Sequence, residues 1–283
     1  MSKLLSANFM RVKKNKPFWG CIIFMLFLGV SLPIAQYMQV EELNQTRQEV
    51  YETVLDQQFF TFVMFIGLVA SVFCGLFLGT EYSDGTIRNK VVVGHTRNGI
   101  YLANLITCMI AGLVMCLTFI ISYLAVGYPL LGGFHLEIKQ ILLLTLASFM
   151  VAVVFSSIYT LIAMNNQNKA AIAVACVLFA FISMFGGQLI ESRLNEPEMW
   201  EAYSYTTDTG QVVEQPAERN PRYLEGAARD FYEFLHDLLP GDQQQQIGTM
   251  TTEKPWVLIG YSTGLTVLTT GVGMFLFRKK NLR

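Results

Sequence analysis

Long segments without a charged side chain alternate along this chain with short polar ones. Six windows contain no Asp, Glu, Lys or Arg: residues 17–40, 57–80, 98–136, 140–168, 170–190 and 255–277. A helix rises about 1.5 Å per residue, so about 20 apolar residues cross a hydrocarbon core of about 30 Å. Each window is therefore long enough for one membrane-spanning helix.

The third window is longer than one span requires, but glycine and proline at Gly127, Pro129, Gly132 and Gly133 are expected to break it near its end. We therefore predict six spans, at about 17–38, 58–80, 99–126, 140–164, 170–190 and from 255 onward. The predicted fold class is an all-α integral membrane protein. Residues 1–190 form its membrane domain, 191–254 a large extracellular insertion between spans five and six, and 255–283 the last span and a basic cytoplasmic tail.

An amphipathic helix is predicted before the first span, over residues 3–16. Leu5, Phe9 and Val12 share one face, and lysines follow near its end. This pattern is typical of a helix on the inner membrane surface, although a simple basic anchor is the alternative.

The second predicted span has small residues at intervals of four: Gly67, Ser71, Gly75 and Gly79. Such a row allows another helix to approach closely, so helix packing is the favoured interpretation. A substrate pathway along the same face is the alternative. The same spacing at Gly260 and Gly264 in the last span leads to the same interpretation.

The predicted insertion contains three recognisable patterns. Alternation over Tyr203–Val213 around Asp208-Thr209-Gly210 indicates a β-hairpin. Apolar residues at spacings of three and four predict an amphipathic helix over residues 222–239. The tract from Gln243 to Gln246 is predicted to be a solvated loop.

The composition supports the membrane assignment, because 53% of the residues are hydrophobic and only 14% are charged. Thirteen basic and two acidic residues fall on the predicted side that carries both termini. Basic residues concentrate on the cytoplasmic side, so we expect a multi-pass protein of the cell membrane with both termini in the cytoplasm. No soluble basic domain is present to bind nucleic acid.

Several kinds of chemistry lack the residues that they need. The three histidines and five cysteines show no metal-site spacing, and the sequence contains no phosphate-binding loop of the form G-x-x-x-x-G-K-[ST]. No predicted span contains the ionisable side chains that ion-coupled transport uses. We therefore expect no cofactor or metal in this chain, and any energy for transport must come from another subunit.

The polar segment EYSDGTIRNKVVVGHTRNGIYLANL, residues 81–105, lies between two predicted spans. It has a Glu at the end of a span, then Gly-Thr, then Gly-x-x-Arg, which are Glu81, Gly85, Thr86, Gly94 and Arg97. With the predicted surface helix, six spans and large insertion, this segment resembles the inner loop of ABC type 2 (ABC-2) transporter permeases. The chain departs from that pattern at Asn104, where the family often has a basic residue.

The resemblance implies a permease subunit of an ATP-driven exporter, not itself an enzyme. Its partners would be a second permease copy or a related chain, the lipid membrane, and separate ATP-binding subunits that hold ATP and Mg²⁺. In the inner loop, Ser83 or Asp84 would cap a short helix whose Ile87 and Val91 share an apolar face and whose Arg88 and Lys90 offer charge to a partner. The residues predicted to couple to the ATPase are Glu81, Asp84, Gly85, Thr86, Ile87, Arg88, Val91, Gly94 and Arg97.

A different class of function fits the same pattern of spans. A non-transporting membrane scaffold or sensor would use its extracellular insertion to bind a ligand or a partner protein. A membrane-embedded enzyme is a third and more distant alternative. The substrate of a transporter cannot be read from these residues, although the uncharged spans suit a hydrophobic or amphipathic one.

Overall fold

The computed structural model describes residues 1–47, 53–206 and 212–280. Its helices are α1 (Ser2–Lys13), α2 (Lys16–Arg47), α3 (Asp56–Phe59), α4 (Phe62–Ser83), α5 (Thr86–Val92), α6 (Arg97–Leu131), α7 (Ile138–Asn165), α8 (Lys169–Leu194), α9 (Gly226–Leu238), α10 (Pro240–Gly248) and α11 (Pro255–Lys279). Four short strands, β1 (Met199–Trp200), β2 (Tyr203–Thr206), β3 (Val212–Gln215) and β4 (Glu218–Arg219), lie between α8 and α9.

Six helical segments in the described part of the chain are long and apolar enough to cross a membrane. They are Lys16–Thr46, Asp56–Ser83, Arg97–Leu131, Ile138–Asn165, Lys169–Leu194 and Pro255–Lys279. The prediction of an all-α membrane protein with six spans is confirmed.

The third span continues past its predicted end at residue 126, although it stops at Gly132, one of the residues expected to break it. Helix α6 continues through Gly127 and Pro129 to Leu131, and it ends only at Gly132, whose φ of +85° favours glycine. Pro129 lacks the N–H that would bind the carbonyl of Ala125, so α6 forgoes one hydrogen bond in its last turns and still continues to Leu131.

Helix α4 lies at the centre of the bundle, in contact with α2, α6, α7 and α8. Its small residues fit against its neighbours: a Cβ on Gly75 would lie 3.1 Å from the Ala173 Cα of α8, and one on Gly67 would lie 3.0 Å from the Phe155 ring of α7. A Cβ on Gly79 would likewise lie close to Lys169 of α8, and the side chain of Ser71 is fully buried. The row thus lies at helix–helix contacts, whereas a role as a pathway stays a prediction.

Gly260 and Gly264 in α11 behave differently. A Cβ on either would meet no described atom of this chain within 4 Å. The expected packing against another helix is therefore not formed within the described part of the chain.

Two ends of the bundle can be distinguished by their short elements. The α5 end comprises α1, α5, the connection between α7 and α8, and Lys280, which follows α11. The α10 end comprises α3, the β-strands, α9 and α10, which contacts the beginning of α4 and of α11 and the last turns of α8.

The segment between α8 and α11 contains the predicted hairpin and helix. Strands β2 and β3 pair antiparallel, with Tyr205 opposite Val213, and β1 pairs with β4. The predicted turn at Asp208-Thr209-Gly210 lies outside the described residues. Helix α9 begins at Gly226 rather than at residue 222, since the chain enters it through an extended Glu225 and a Gly226 φ of +57°.

Candidate functional site

The α5 end has a short helix held between two left-handed glycines. Gly85 is the N-cap of α5 with a φ of +66°, and Gly94 follows the helix with a φ of +95°. Few residues other than glycine adopt these angles, so both glycines define where the chain turns. The expected cap by Ser83 or Asp84 is not formed: Asp84 follows α4, where Ser83 Oγ lies 3.1 Å from its Oδ1. Thr86 is the first residue of α5.

The apolar face of α5 is used inside this chain. Ile87 is 1% exposed and belongs to a cluster with Leu4, Ile100 and Phe277, and Val91 packs against the same cluster. The predicted arrangement, in which Ile87 and Val91 face a partner, therefore differs from the structure. Periodicity correctly placed them on one face, but it could not say that α1, α6 and α11 cover this face.

The exposed surface of α5 and its C-terminal end consists of other residues. Val92 and Val93 are 80% and 77% exposed, and Arg88 and Asn89 are also exposed. A partner that contacts α5 would meet these four side chains. The sequence did contain a signal for this exposure. Two adjacent valines on a short polar helix point in different directions, so they cannot both face its apolar side.

Glu81, near the end of α4, is fully buried and shared by three other helices. Its Oε1 pairs with Arg11 of α1 and lies 2.5 Å from Lys90 Nζ of α5. Its Oε2 accepts a hydrogen bond of 2.6 Å from Asn104 Nδ2 of α6. A buried carboxylate is stabilised only when such partners satisfy both oxygens.

Polar side chains continue this network toward the membrane. Asn8 Nδ2 donates to Asn104 Oδ1 at 2.8 Å and to Thr107 Oγ1 at 3.3 Å, and Lys90 Nζ donates to Asn8 Oδ1 at 3.1 Å. Asn104, at which the chain departs from the family pattern, thus binds Glu81 within this chain. Sequence reasoning missed Arg11 and Lys90 as partners of Glu81 and Asn8 as a partner of Asn104. Nothing in the sequence indicates the Arg11 and Asn8 contacts, which span 70 and 96 residues, and Lys90 was expected to face a partner instead.

We call Asn8, Arg11, Glu81, Lys90 and Asn104 the Glu81 cluster. It joins α1, α4, α5 and α6 at the fully buried carboxylate of Glu81, where electrostatic interactions are stronger than at a surface. These four helices are therefore held together as one unit.

Arg97 and Lys280 close the same end of the bundle by binding backbone carbonyls. Arg97, the first residue of α6, donates to the carbonyls of Phe277 and Arg278 at 3.3 and 2.9 Å. Lys280 Nζ donates to Tyr82 Oη at 3.1 Å and to the carbonyl of Met164 at 2.9 Å. Burial lowers the pKa of Lys280 to about 8.

A second buried polar feature lies at the α10 end, where the prediction of a solvated loop is wrong. Gln243, Gln244 and Gln246 are buried on α10. Gln244 Nε2 donates to the Val63 carbonyl at 2.6 Å, and Gln243 Oε1 accepts from Ser262 Oγ at 2.6 Å. Side-chain amides can be buried when each finds such a partner, which polarity along the sequence does not reveal.

Close backbone contact brings α10 onto α8. A Cβ on Gly241 would lie 1.9 Å from the Ser183 carbonyl oxygen, so only glycine fits there. Asp242 is buried beside it: one carboxylate oxygen lies 3.1 Å from His236 Nδ1, and the other has no hydrogen-bond partner among the described residues. Burial raises the pKa of Asp242, and Glu191 adds to this effect, although His236 opposes it.

The geometry does not suggest a catalytic or metal centre. Among the described residues, no three His, Cys, Asp or Glu side chains lie close enough to hold a metal ion. What the α5 end does provide is a short helix locked to three longer ones, with an exposed surface of its own.

Comparison with protein families identifies the kind of membrane protein to which this chain belongs. The model of the ABC-2 family transporter protein matches residues 4–187. The chain belongs to the ABC-2 transporter family. It is thus a membrane component of a transporter, and the family implies a system with an ATP-binding partner. A search of curated proteins and a search of solved structures gave no match. The matched segment includes the whole Glu81 cluster, whereas α9, α10 and α11 lie beyond it.

Proposed function

We propose that this ABC-2 chain is the membrane-spanning permease of an ATP-driven exporter. Two copies, or one copy and a related chain, would pair in the membrane and bind separate ATP-binding subunits at the α5 end. The observation that carries the proposal is the direct charged link from α5 to Glu81. A helix that only connected two spans would not need a buried ionic contact to three other helices.

The link gives α5 a mechanical role. Lys90 binds Glu81, and Glu81 also binds Arg11 and Asn104. A displacement of α5 by a closing ATPase would therefore move α1, α4 and α6 together, without a flexible loop between them. Glu81, Arg97, Gly85 and Gly94 would hold α5 in position, and Ile87 and Val91 would fix it to the bundle.

The contact with the ATPase would be made by the exposed part of α5. Val92 and Val93 supply apolar area, while Arg88 and Asn89 supply charge and hydrogen bonds. Interfaces commonly have a small apolar centre with polar groups around it. This assignment moves the apolar anchor from Ile87 and Val91 to the two valines that follow them.

Export would also require the α10 end to open. Helix α10 packs on α4, α7 and α8 at the opposite end of the bundle from α5. Its glutamines are held by neutral hydrogen bonds, each worth only about 1 kcal/mol net because water can replace the partner. Helix α10 would therefore separate from the bundle more readily than α5 and would act as the outer closure.

The orientation rests on the excess of basic residues on the side of the termini. Single cysteines at Val93 and at Asp230, in a cysteine-free variant, would be treated with a membrane-impermeant thiol reagent in intact cells. We expect labelling at Asp230 only. Labelling at Val93 alone would reverse the orientation and would remove the case for an ATPase at α5.

The function is tested by purification of the tagged chain and measurement of the ATP hydrolysis that co-purifies with it. The double substitution Val92→Ser and Val93→Ser should reduce this activity at least tenfold, since loss of a central anchor weakens an interface by about 2 kcal/mol. Trp200→Ser, an exposed change at the α10 end, is the control and should have no effect. If wild-type protein brings down no ATP-hydrolysing subunit, the scaffold or sensor alternative replaces the exporter.

A further inference from the structure

Two neighbouring cavities lie along α4 on the outside of the bundle, the first between α4 and α2 and the second between α4 and α1 with its junction to α2. The first, of about 380 Å³, is lined by apolar groups, including Gly20, Cys21 and Phe24 of α2 and Val69, Val72 and Leu76 of α4. The second, of about 470 Å³, lies at the α5 end and includes Arg11, Lys14, Thr80 and Asp84. Both cavities are distinct from the Glu81 cluster, although Arg11 belongs to the cluster and also lines the second cavity.

The two cavities lie along one face of α4. Leu68, Val72, Leu76, Thr80 and Asp84 are each four residues apart, so they form a single row on the helix. The first three line the apolar cavity and the last two line the polar one. The row therefore changes from apolar to polar at the end of the span, beside the junction of α1 with α2.

This division matches the division of a phospholipid into acyl chain and head group. An apolar groove within the span suits an acyl chain, whereas the polar cavity lies where the membrane surface would be. A second protein helix would bury the apolar part equally well, but it would not need a polar cavity of this size at its end.

The charges in the polar cavity indicate which head group fits. Arg11 pairs with Glu81 and lies 4.8 Å over the Phe77 ring, so its charge is largely balanced within the protein. Lys14 and Asp84 are both exposed to the cavity's solvent side. The cation of Lys14 and the anion of Asp84 therefore remain available. They complement a head group that has one phosphate and one ammonium group.

We propose that this groove binds a phospholipid with an ethanolamine head group from the leaflet at the α5 end. One acyl chain lies between α2 and α4, the phosphate lies beside Lys14, and the ammonium lies beside Asp84. The site does not depend on the partner ATPase or on the transported substrate, and it needs neither for its test.

Gly20 allows the groove to be filled without disturbing the fold. A Cβ there would meet no described atom within 4 Å, so the position is open. Gly20→Leu places a side chain in the space of the acyl chain. Gly264→Leu is the matched control, because that glycine in α11 is equally open but lies away from the groove.

The experiment measures lipid retained by purified protein, by native mass spectrometry, after exchange into micelles with phospholipids of equal acyl chains. The head groups are ethanolamine, choline and glycerol. Wild type and Gly264→Leu should retain one ethanolamine phospholipid per chain, and Gly20→Leu should lower its occupancy about tenfold, equivalent to about 1.4 kcal/mol. Lys14→Gln should weaken all three lipids. Asp84→Asn should remove the preference for ethanolamine over glycerol.

Three results would overturn the proposal. One is equal retention by wild type and Gly20→Leu, which would place the lipid elsewhere. Another is a wild-type protein without head-group preference. The third is disulfide formation between two copies through Gly20→Cys in an otherwise cysteine-free variant, which would show that a second chain covers the groove.

Discussion

At the α5 end the buried carboxylate of Glu81 binds two cationic side chains and one asparagine, whereas at the α10 end three buried glutamines bind backbone carbonyls or a serine. Removal of one partner from a buried ion pair costs about 3–5 kcal/mol, while a neutral hydrogen bond contributes about 1 kcal/mol. The α5 end is therefore suited to stay intact while it moves, and the α10 end is suited to come apart.

The two ends also differ in their relation to the family. The Glu81 cluster lies within the segment that matches the ABC-2 family model, and α10 lies beyond it. This division would arise if the partner surface at the α5 end were shared by the family and the closure at the α10 end were particular to this protein.

The largest effect is expected from Glu81→Gln. This change leaves Arg11 and Lys90 without their carboxylate, so stability should fall by about 3–5 kcal/mol. Thermal unfolding in detergent would measure the loss, and limited proteolysis should show early cleavage near α1 and α5. Asp84→Asn removes an exposed carboxylate three residues away and should leave the melting temperature unchanged. A Glu81→Gln variant as stable as the control would show that the cluster does not hold the α5 end.

A smaller but more local effect is expected from Gly241→Ala. The added methyl group meets the Ser183 carbonyl at 1.9 Å, and such overpacking typically costs about 1–3 kcal/mol. Helix α10 should move off α8, so a cysteine placed at Gln244 in a cysteine-free variant should react faster with thiol reagents. Gly186→Ala, at an open position on α8, is the control. Equal labelling rates in both variants would mean that α10 does not depend on this contact.

The glutamines of α10 show where sequence reasoning reached its limit. The spans, the hairpin and α9 follow from periodicity and turn residues, which are local properties. Burial of Gln243, Gln244 and Gln246 depends on carbonyls and hydroxyls supplied by other helices. Pro240 and Gly241 were interpreted as the end of the preceding helix, although proline is also common at the first position of a helix and glycine at a close approach. Likewise, the resemblance identified Glu81 as important, but its partners Arg11, Lys90 and Asn104 come from three separate helices.

The pH dependence of stability tests the buried Asp242, which lies beside His236 at the α10 end. Because the folded-state pKa of Asp242 is raised above its unfolded value near 3.8, its contribution to stability is present at low pH and is lost as pH rises through the raised pKa. Asp242→Asn should therefore remove part of the fall in melting temperature as the pH rises above about 4. Asp230→Asn, at an exposed position on α9, should leave that slope unchanged. A wild-type slope in Asp242→Asn would place the titration in another group.

The smallest effect is expected at Lys280, at the opposite end. Its folded-state pKa of about 8 lies below the usual 10.5, so the unfolded chain binds the proton more tightly and stability should rise between pH 8 and 10.5. Lys280→Met should remove this rise, as measured by melting temperature at several pH values. Lys279→Met, a neighbouring exposed lysine, should retain it. If both variants behave alike, burial of Lys280 has no consequence for stability.

The sharing of Glu81 among distant segments has a consequence for how the chain is made. Helix α1 leaves the ribosome before α4, α5 and α6, yet Asn8 and Arg11 bind residues 96 and 70 positions later. A newly synthesised chain thus carries α1 and then α5 without fixed positions until α6 has entered the membrane and Asn104 meets Glu81. In the proposed orientation, the positive charges near α1 and α5 stay unneutralised during that interval and would retain these segments on the cytoplasmic side before the cluster closes.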